Sequence, residues 1–276
     1  MESEAVIRLV AFLGVFAAVA LWELACPRRI PDLPRGKRWA NNLALLGVDV
    51  AVLRILAPAA VITVAMAGEE RGWGLLSAIN LPVWAGLVVG VALLDLAIYF
   101  QHVMFHAVPT LWRLHRVHHS DVDFDLTTGV RFHPVEILVS TIVKCAAVGA
   151  IGASPLAVLI FEVLLSATSI FNHANAALPN WLDKYVRWAI VTPDMHRVHH
   201  SIEYDESSSN FGFNLPLWDR LFGTYRAQPR VNHAAMTIGV DAFRETGEER
   251  LDQLLIQPLR DTPGRYPINR RHHVAG

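Results

Sequence analysis

The chain has 276 residues, 53% of them hydrophobic, and a mean hydropathy of +0.33. Its 24 lysines and arginines nearly balance 25 acidic residues, so it lacks the basic footprint of a nucleic-acid-binding protein. Two cysteines, Cys26 and Cys145, exclude a disulfide framework and a CxxC metal site, while the blocks of apolar sequence point to a membrane protein.

Residues 5–25 are long enough for a first membrane span. The acidic start, Met1-Glu2-Ser3-Glu4, argues against a signal peptide. Arg28, Arg29, Arg35, Lys37 and Arg38 crowd the following loop, which the positive-inside rule places in the cytoplasm. Residues 42–67 are expected to form a second span, with Asp49 and Arg54 pairing, snorkelling or facing the bundle interior. Glu69 to Ser77 reads as an outer turn, and Leu81 to about Phe105 as the returning third span, with Asp95, His102 and His106 near its inner end.

Pro109 suits the first turn of a new short helix, which Asp121, Asp123 and Asp125 end in polar loop. Val135 to Gly152 and Pro155 to Phe171, joined by Gly152-Ala153-Ser154, read as a helical hairpin that enters from the cytoplasmic side and returns there, by spanning or by dipping. His173 then emerges beside the other histidines. Asn180 to Val191 resembles an interfacial helix. Thr192-Pro193-Asp194 supplies an N-cap, a first-turn proline and an acidic first-turn residue for the next helix. The expected fold is an all-α integral membrane protein: three spans and a helical hairpin under a cytosolic, histidine-rich helical cap. Its parts are N-terminal spans (1–80), a core (81–226) and a polar C-terminal tail (227–276), where His233, His272 and His273 are expected to face solvent.

The most informative stretch is a repeat. His115-Arg116-Val117-His118-His119-Ser120 recurs as His196-Arg197-Val198-His199-His200-Ser201. On a helix, positions i, i+3 and i+4 share one face, so each copy offers three imidazoles together, and His102 with His106 adds an i, i+4 pair. Imidazole is the commonest metal-ligand side chain, and eight are more than one mononuclear site uses, so a two-metal centre is indicated. Clustered imidazoles suit iron, copper or zinc rather than calcium or magnesium. HExxH and GxSxG signatures are absent, and redox chemistry with iron is the better fit.

The ordered set HxxxH, HxxHH, HxxHH resembles the integral-membrane fatty acid hydroxylase and sterol desaturase superfamily. So do Arg131-Phe132-His133-Pro134-Val135-Glu136, Asn172-His173-Ala174-Asn175, Thr192-Pro193-Asp194-Met195-His196 and the closing segment Asn214 to Tyr225. The resemblance covers about residues 85–226. It implies two non-haem iron ions on the cytosolic side of the bundle, using O2 and electrons to hydroxylate a lipid C–H bond of a fatty acyl, sterol or ether lipid. Desaturation at the same centre is the alternative. The implied ligands are His102, His106, His115, His118, His119, His173, His196, His199 and His200. His133 is a candidate tenth, since Ala177 stands where some relatives carry a further histidine.

Glu136, Asn175 and Asp194 are candidates for orienting imidazole N–H groups, as metal sites require. Trp218, Asp219 and Tyr225 are expected to close the cap over the site. No haem or flavin domain is fused, so the resemblance also implies a separate donor (cytochrome b5-like, a ferredoxin or a reductase), docking near Arg113, Arg116 and Arg197. Two readings of another class stand beside this one: a bis-histidine haem electron carrier, and a metal transporter or sensor.

Overall fold

In a computed structural model of the chain, which describes residues 2–260, the apolar runs become helices. They are α1 (Glu2–Ala25), α2 (Arg35–Leu56), α3 (Ala60–Arg71), α4 (Val83–Ala107), α5 (Pro109–His119), α6 (Pro134–Ile151) and α7 (Pro155–Asn172). Five short helices follow: α8 (Asn180–Val186), α9 (Pro193–His199), α10 (Tyr204–Ser207), α11 (Leu217–Phe222) and α12 (Leu251–Ile256). No strand occurs among the described residues, only two isolated β-bridges. Helices α1, α2, α4, α6 and α7 are each long and apolar enough to cross a membrane.

The second span differs from the expected 42–67. Helix α2 begins at Arg35, inside the supposed loop, and stops at Leu56. Pro58 lacks an amide donor, and Ala59 adopts a left-handed conformation (φ 54°), so the chain breaks before α3. Asp49 is buried and Arg54 is exposed at the end of α2.

The hairpin α6–α7 runs the depth of the bundle beside α4. Its tip meets the turn that precedes α4: Leu75 donates its amide to the Ala150 carbonyl at 3.0 Å. A Cβ on Gly74 would stand 2.2 Å from the Gly152 nitrogen, and both glycines have positive φ, so only glycine serves on either side of this contact. At 1.5 Å per residue, 18 residues give each arm about 27 Å, close to the hydrocarbon thickness of a bilayer. Within this apolar packing Glu162 of α7 accepts from Arg8 of α1 at 2.7 Å and Lys144 of α6 at 3.3 Å, so these three charges sit together rather than alone among apolar side chains. Val61, Leu94, Ile98, Val148, Ala157 and Phe161 fill the space between α3, α4, α6 and α7.

The histidines gather at the opposite end from that tip. Residues 227–260 are not a detached polar tail there. Met236, Ile238, Phe243 and Leu254 are buried, Ser201 and Ile238 form a β-bridge, and Glu249 pairs with Arg131. His233, expected in solvent, is only 4% exposed and lies 3.6 Å from Asp194. His272 and His273 lie outside the described residues.

Candidate metal centre

Both hexapeptides fold as read. Pro109 opens α5. The Thr192 side chain accepts from the Met195 amide, and Pro193 and Asp194 occupy the first turn of α9. With His102 and His106 from α4 and His173 just past α7, these helices enclose nine buried imidazoles. They sort into two groups. His102, His106, His115, His119 and His199 bring one nitrogen each within 4.8 Å of one another, and His118, His173, His196 and His200 do the same.

The tautomers decide what these groups are for. His102 donates its Nδ1–H to the Phe211 carbonyl at 2.8 Å, and His199 donates likewise to Ser209 at 2.7 Å. His115 donates to the Glu136 carboxylate at 2.7 Å, and His173 to the Ser169 carbonyl at 2.7 Å. Each Nε2 is then a bare lone pair. Yet His102 Nε2 lies 3.1 Å from that of His115 and 3.0 Å from that of His199. His173 Nε2 lies 3.1 Å from that of His196 and 3.2 Å from those of His118 and His200. With protons held at Nδ1 of His102, His115 and His199, their converging lone pairs repel unless a cation stands among them, while in the other group the His173 lone pair is the point on which three further Nε2 atoms converge. Both ring nitrogens of His106 and the Nε2 of His119 have no hydrogen-bond partner among the described residues. The donor set thus fits two soft or borderline cations.

Electrostatics agree. Burial holds His115 and His173 at about 3. It drives His118, His119, His196, His199 and His200 well below the ordinary imidazole range, and neighbouring imidazoles add to the effect. These rings are neutral at physiological pH, the form in which an imidazole can bind a metal.

Of the other expected residues, Glu136 reaches one of the nine imidazoles and Asn175 and Asp194 do not. Asn175 exchanges side-chain hydrogen bonds with the Arg29 backbone at 2.9 Å. Asp194 pairs with Arg28 and Arg197 at the base of α9. His133 stands apart from both groups. Its Nδ1 accepts from the Val135 amide as an N-cap and its Nε2 donates to the Leu255 carbonyl at 3.1 Å, so neither nitrogen is free. The arginines expected to dock a donor are occupied internally. Arg116 is 1% exposed and donates to the Gln257 and Arg260 carbonyls. Arg197 is fully buried against Asp194 and Ala174, and Arg113 donates to the Arg260 carbonyl.

The sequence reading missed the carbonyls of Ser169, Ser209 and Phe211, which carry no side-chain signal. It also missed how the closing segment holds them. Asp219, pushed up to about 6 by burial, accepts from the amides of Phe211 and Gly212 at 2.8 and 2.9 Å and from Thr224 at 2.7 Å. Asp95 accepts from the Trp218 indole at 2.8 Å and from the Leu215 amide at 3.2 Å. Together they fix the loop that presents Ser209 and Phe211 to the imidazoles. The acidic turn after α5 is buried too: Asp121 and Asp125 close on Arg38 at 2.7 and 2.5 Å.

Fold and site define an all-helical protein with five helices of membrane-spanning length and a buried chamber of nine histidines. The profile of the fatty acid hydroxylase family matches residues 87–224, which include all nine, and the chain belongs to that family. It is 29% identical over 232 residues to ornithine lipid hydroxylase OlsE of Rhizobium tropici, covering 80% of this chain and 67% of that protein. Human alkylglycerol monooxygenase is 27% identical over 240 residues, which cover 83% of this chain and 50% of the enzyme. Rat cholesterol 25-hydroxylase is 26% identical over 164 residues, with 59% and 53% covered. The match therefore spans only about half the length of the human and rat relatives. No solved structure matches.

Proposed function

We propose that the protein is a membrane-bound lipid hydroxylase whose two histidine groups each hold one iron ion. The observation that carries this reading is the convergence of Nε2 atoms at 3.0–3.2 Å in both groups, lone pair against lone pair at His102, His115 and His199, in a family whose similar members are named for hydroxylating lipids. Bound there, the two irons would activate O2, with two electrons from an external donor and two protons, so that a lipid C–H becomes C–OH and the second oxygen leaves as water.

The chain's own residues supply the rest. Glu136 and the carbonyls of Ser169, Ser209 and Phe211 hold protons on Nδ1 and keep each Nε2 turned inward. Phe211 and Phe213 pack on the His102 ring, at 5.6 and 5.3 Å between centroids, and keep water from the chamber on that side. The substrate is a lipid that enters from the bilayer, and the histidine end faces the cytoplasm, as the basic stretch from Arg28 into the start of α2 at Arg38 argues.

The test is mass spectrometry of lipids from cells making the wild-type chain, His118→Ala or His199→Ala under 18O2. The expected result is a hydroxylated lipid carrying one 18O in the wild type alone. Identical profiles in all three would remove the proposal. A desaturated product without label would move it to the alternative outcome of the same centre.

A further inference from the structure

Two short helices at the histidine end have their polarity turned inside out. In α8 and the turn after it, the exposed side carries Trp181, Tyr185 and Trp188, each 67% exposed, beside exposed Lys184, while Asp183 and Arg187 are buried as an ion pair. In α11, Leu217, Leu221 and Phe222 face outward while Asp219 is buried. A helix lying on water shows the reverse, apolar residues inward and charges outward. Arg220 joins the two faces into one surface, its guanidinium 3.8 Å over the Trp188 ring and 3.9 Å over that of Tyr225.

The depth of this surface follows from its neighbours. The Phe222 ring lies 5.1 Å from that of Phe100 and 5.4 Å from that of Tyr99. Phe100 is exposed on α4 and lies seven residues, about 10 Å, before the end of that helix. Helix α11 therefore lies alongside α4 rather than beyond it, and Trp218 reaches deeper still, to Asp95. The exposed apolar side of α4, with Phe100 and Met104 and then Val108 just past its end, continues onto α11 without a polar border between Phe100 and Phe222.

We propose that the face formed by α8 and α11 is bedded in the bilayer leaflet at the histidine end. Lipid is its occupant. Acyl chains cover Leu217, Leu221 and Phe222, the rings of Trp181, Tyr185 and Trp188 lie at headgroup level, and Lys184 and Arg220 meet phosphates. Tryptophan and tyrosine concentrate at that level because one part of the ring is apolar and another polar, and a continuous apolar surface of this kind is not left in water. The inference rests on α4 being a span.

The test uses the full-length protein in nanodiscs of phosphatidylcholine and phosphatidylglycerol. Cys26 and Cys145 are replaced by serine and alanine, and a nitroxide is attached at Trp181→Cys, Leu221→Cys or, as the control, Arg250→Cys, where the native side chain is 69% exposed. Relaxation by dissolved oxygen, which concentrates in lipid, is compared with relaxation by a water-soluble nickel chelate. The oxygen-to-nickel ratio at 181 and 221 is expected severalfold above that at 250. A ratio like that at 250, or a label shielded from both relaxants because protein covers it, would overturn the proposal. A label on the lipid face of α4, at Val88→Cys, is the separate check of the span: an aqueous ratio there would refute the span itself. Leu221→Cys stands alone should Trp181→Cys not accumulate.

Discussion

The two hexapeptides have one sequence and serve the chamber in opposite senses. The copy on α5 gives His115 and His119, its i and i+4 positions, to the five-histidine group and sends His118 to the other. The copy on α9 gives His196 and His200 to the four-histidine group and sends His199 across. An approximate twofold pattern results, which α4 breaks by adding His102 and His106 to one side while His173 alone joins the other. The sides also differ in how firmly they are held. In the larger group His102, His115 and His199 have their protons fixed by a carbonyl or carboxylate. In the smaller group only His173 does, and the Nδ1 atoms of His118, His196 and His200 have no partner among the described residues. Equal ligand motifs thus do not make equal sites, because the atoms that orient them come from elsewhere in the fold.

The largest effects should come from the ligands. His106→Ala and His196→Ala are each expected to lower product formation by about 100-fold or more, since each removes a donor that the proposed centre assigns to a metal. Elemental analysis should fall from two irons per chain to one in both variants. Chelator should strip the four-histidine site first in the wild type, and the reverse order would break the comparison.

Glu136→Ala comes next. Loss of the carboxylate that orients His115 should weaken metal binding by about 10- to 100-fold in the five-histidine group and leave the other unchanged, read by metal titration. Gly129→Ala probes the opposite side. Its Cβ would stand 2.4 Å from the Ser169 carbonyl that holds His173, so thermal unfolding should register a loss of about 3 kcal/mol, with the four-histidine site loosened.

Acid should also favour the larger group. Burial holds His233 at about 4 against an ordinary 6.5, with Asp194 at the base of α9 opposing the shift. Between those values the unfolded chain binds a proton that the folded one refuses. Stability present above pH 6.5 is therefore lost progressively as pH falls toward 4, about 2 kcal/mol of it by pH 5. Hydrogen exchange over residues 228–238 should rise at pH 5 in the wild type and change little in His233→Gln. The smallest effect is expected of His133→Ala: about 1 kcal/mol of stability from the lost cap, with metal content unchanged. A lost iron there would return His133 to the ligand set.

Much of this was legible in order along the chain. Pro109, the Thr192-Pro193-Asp194 start and the Gly152-Ala153-Ser154 turn each act within a few residues, so they marked α5, α9 and the hairpin correctly. The break at Pro58 and Ala59 was also local, yet hydropathy averaged over a span-length window runs across it. His133 misled because it lies in a motif beside true chamber residues, and spacing cannot say whether a ring nitrogen is already taken. Arg116 and Arg197 misled for a similar reason: charge in a sequence reads as exposure until a fold supplies buried partners.

By itself the sequence determined that the eight motif imidazoles and His173 would gather at one end of a helical bundle, with His133 offered wrongly as a tenth, because helical periodicity puts i, i+3 and i+4 on one face and apolar length sets which helices can cross a membrane. Only the tertiary structure decided how those rings divide between two groups, which nitrogen each turns inward and which of Glu136, Asn175 and Asp194 reaches them. These choices rest on carbonyls and carboxylates from helices and loops far apart in the chain, and no local pattern encodes a contact that exists only after distant segments have packed.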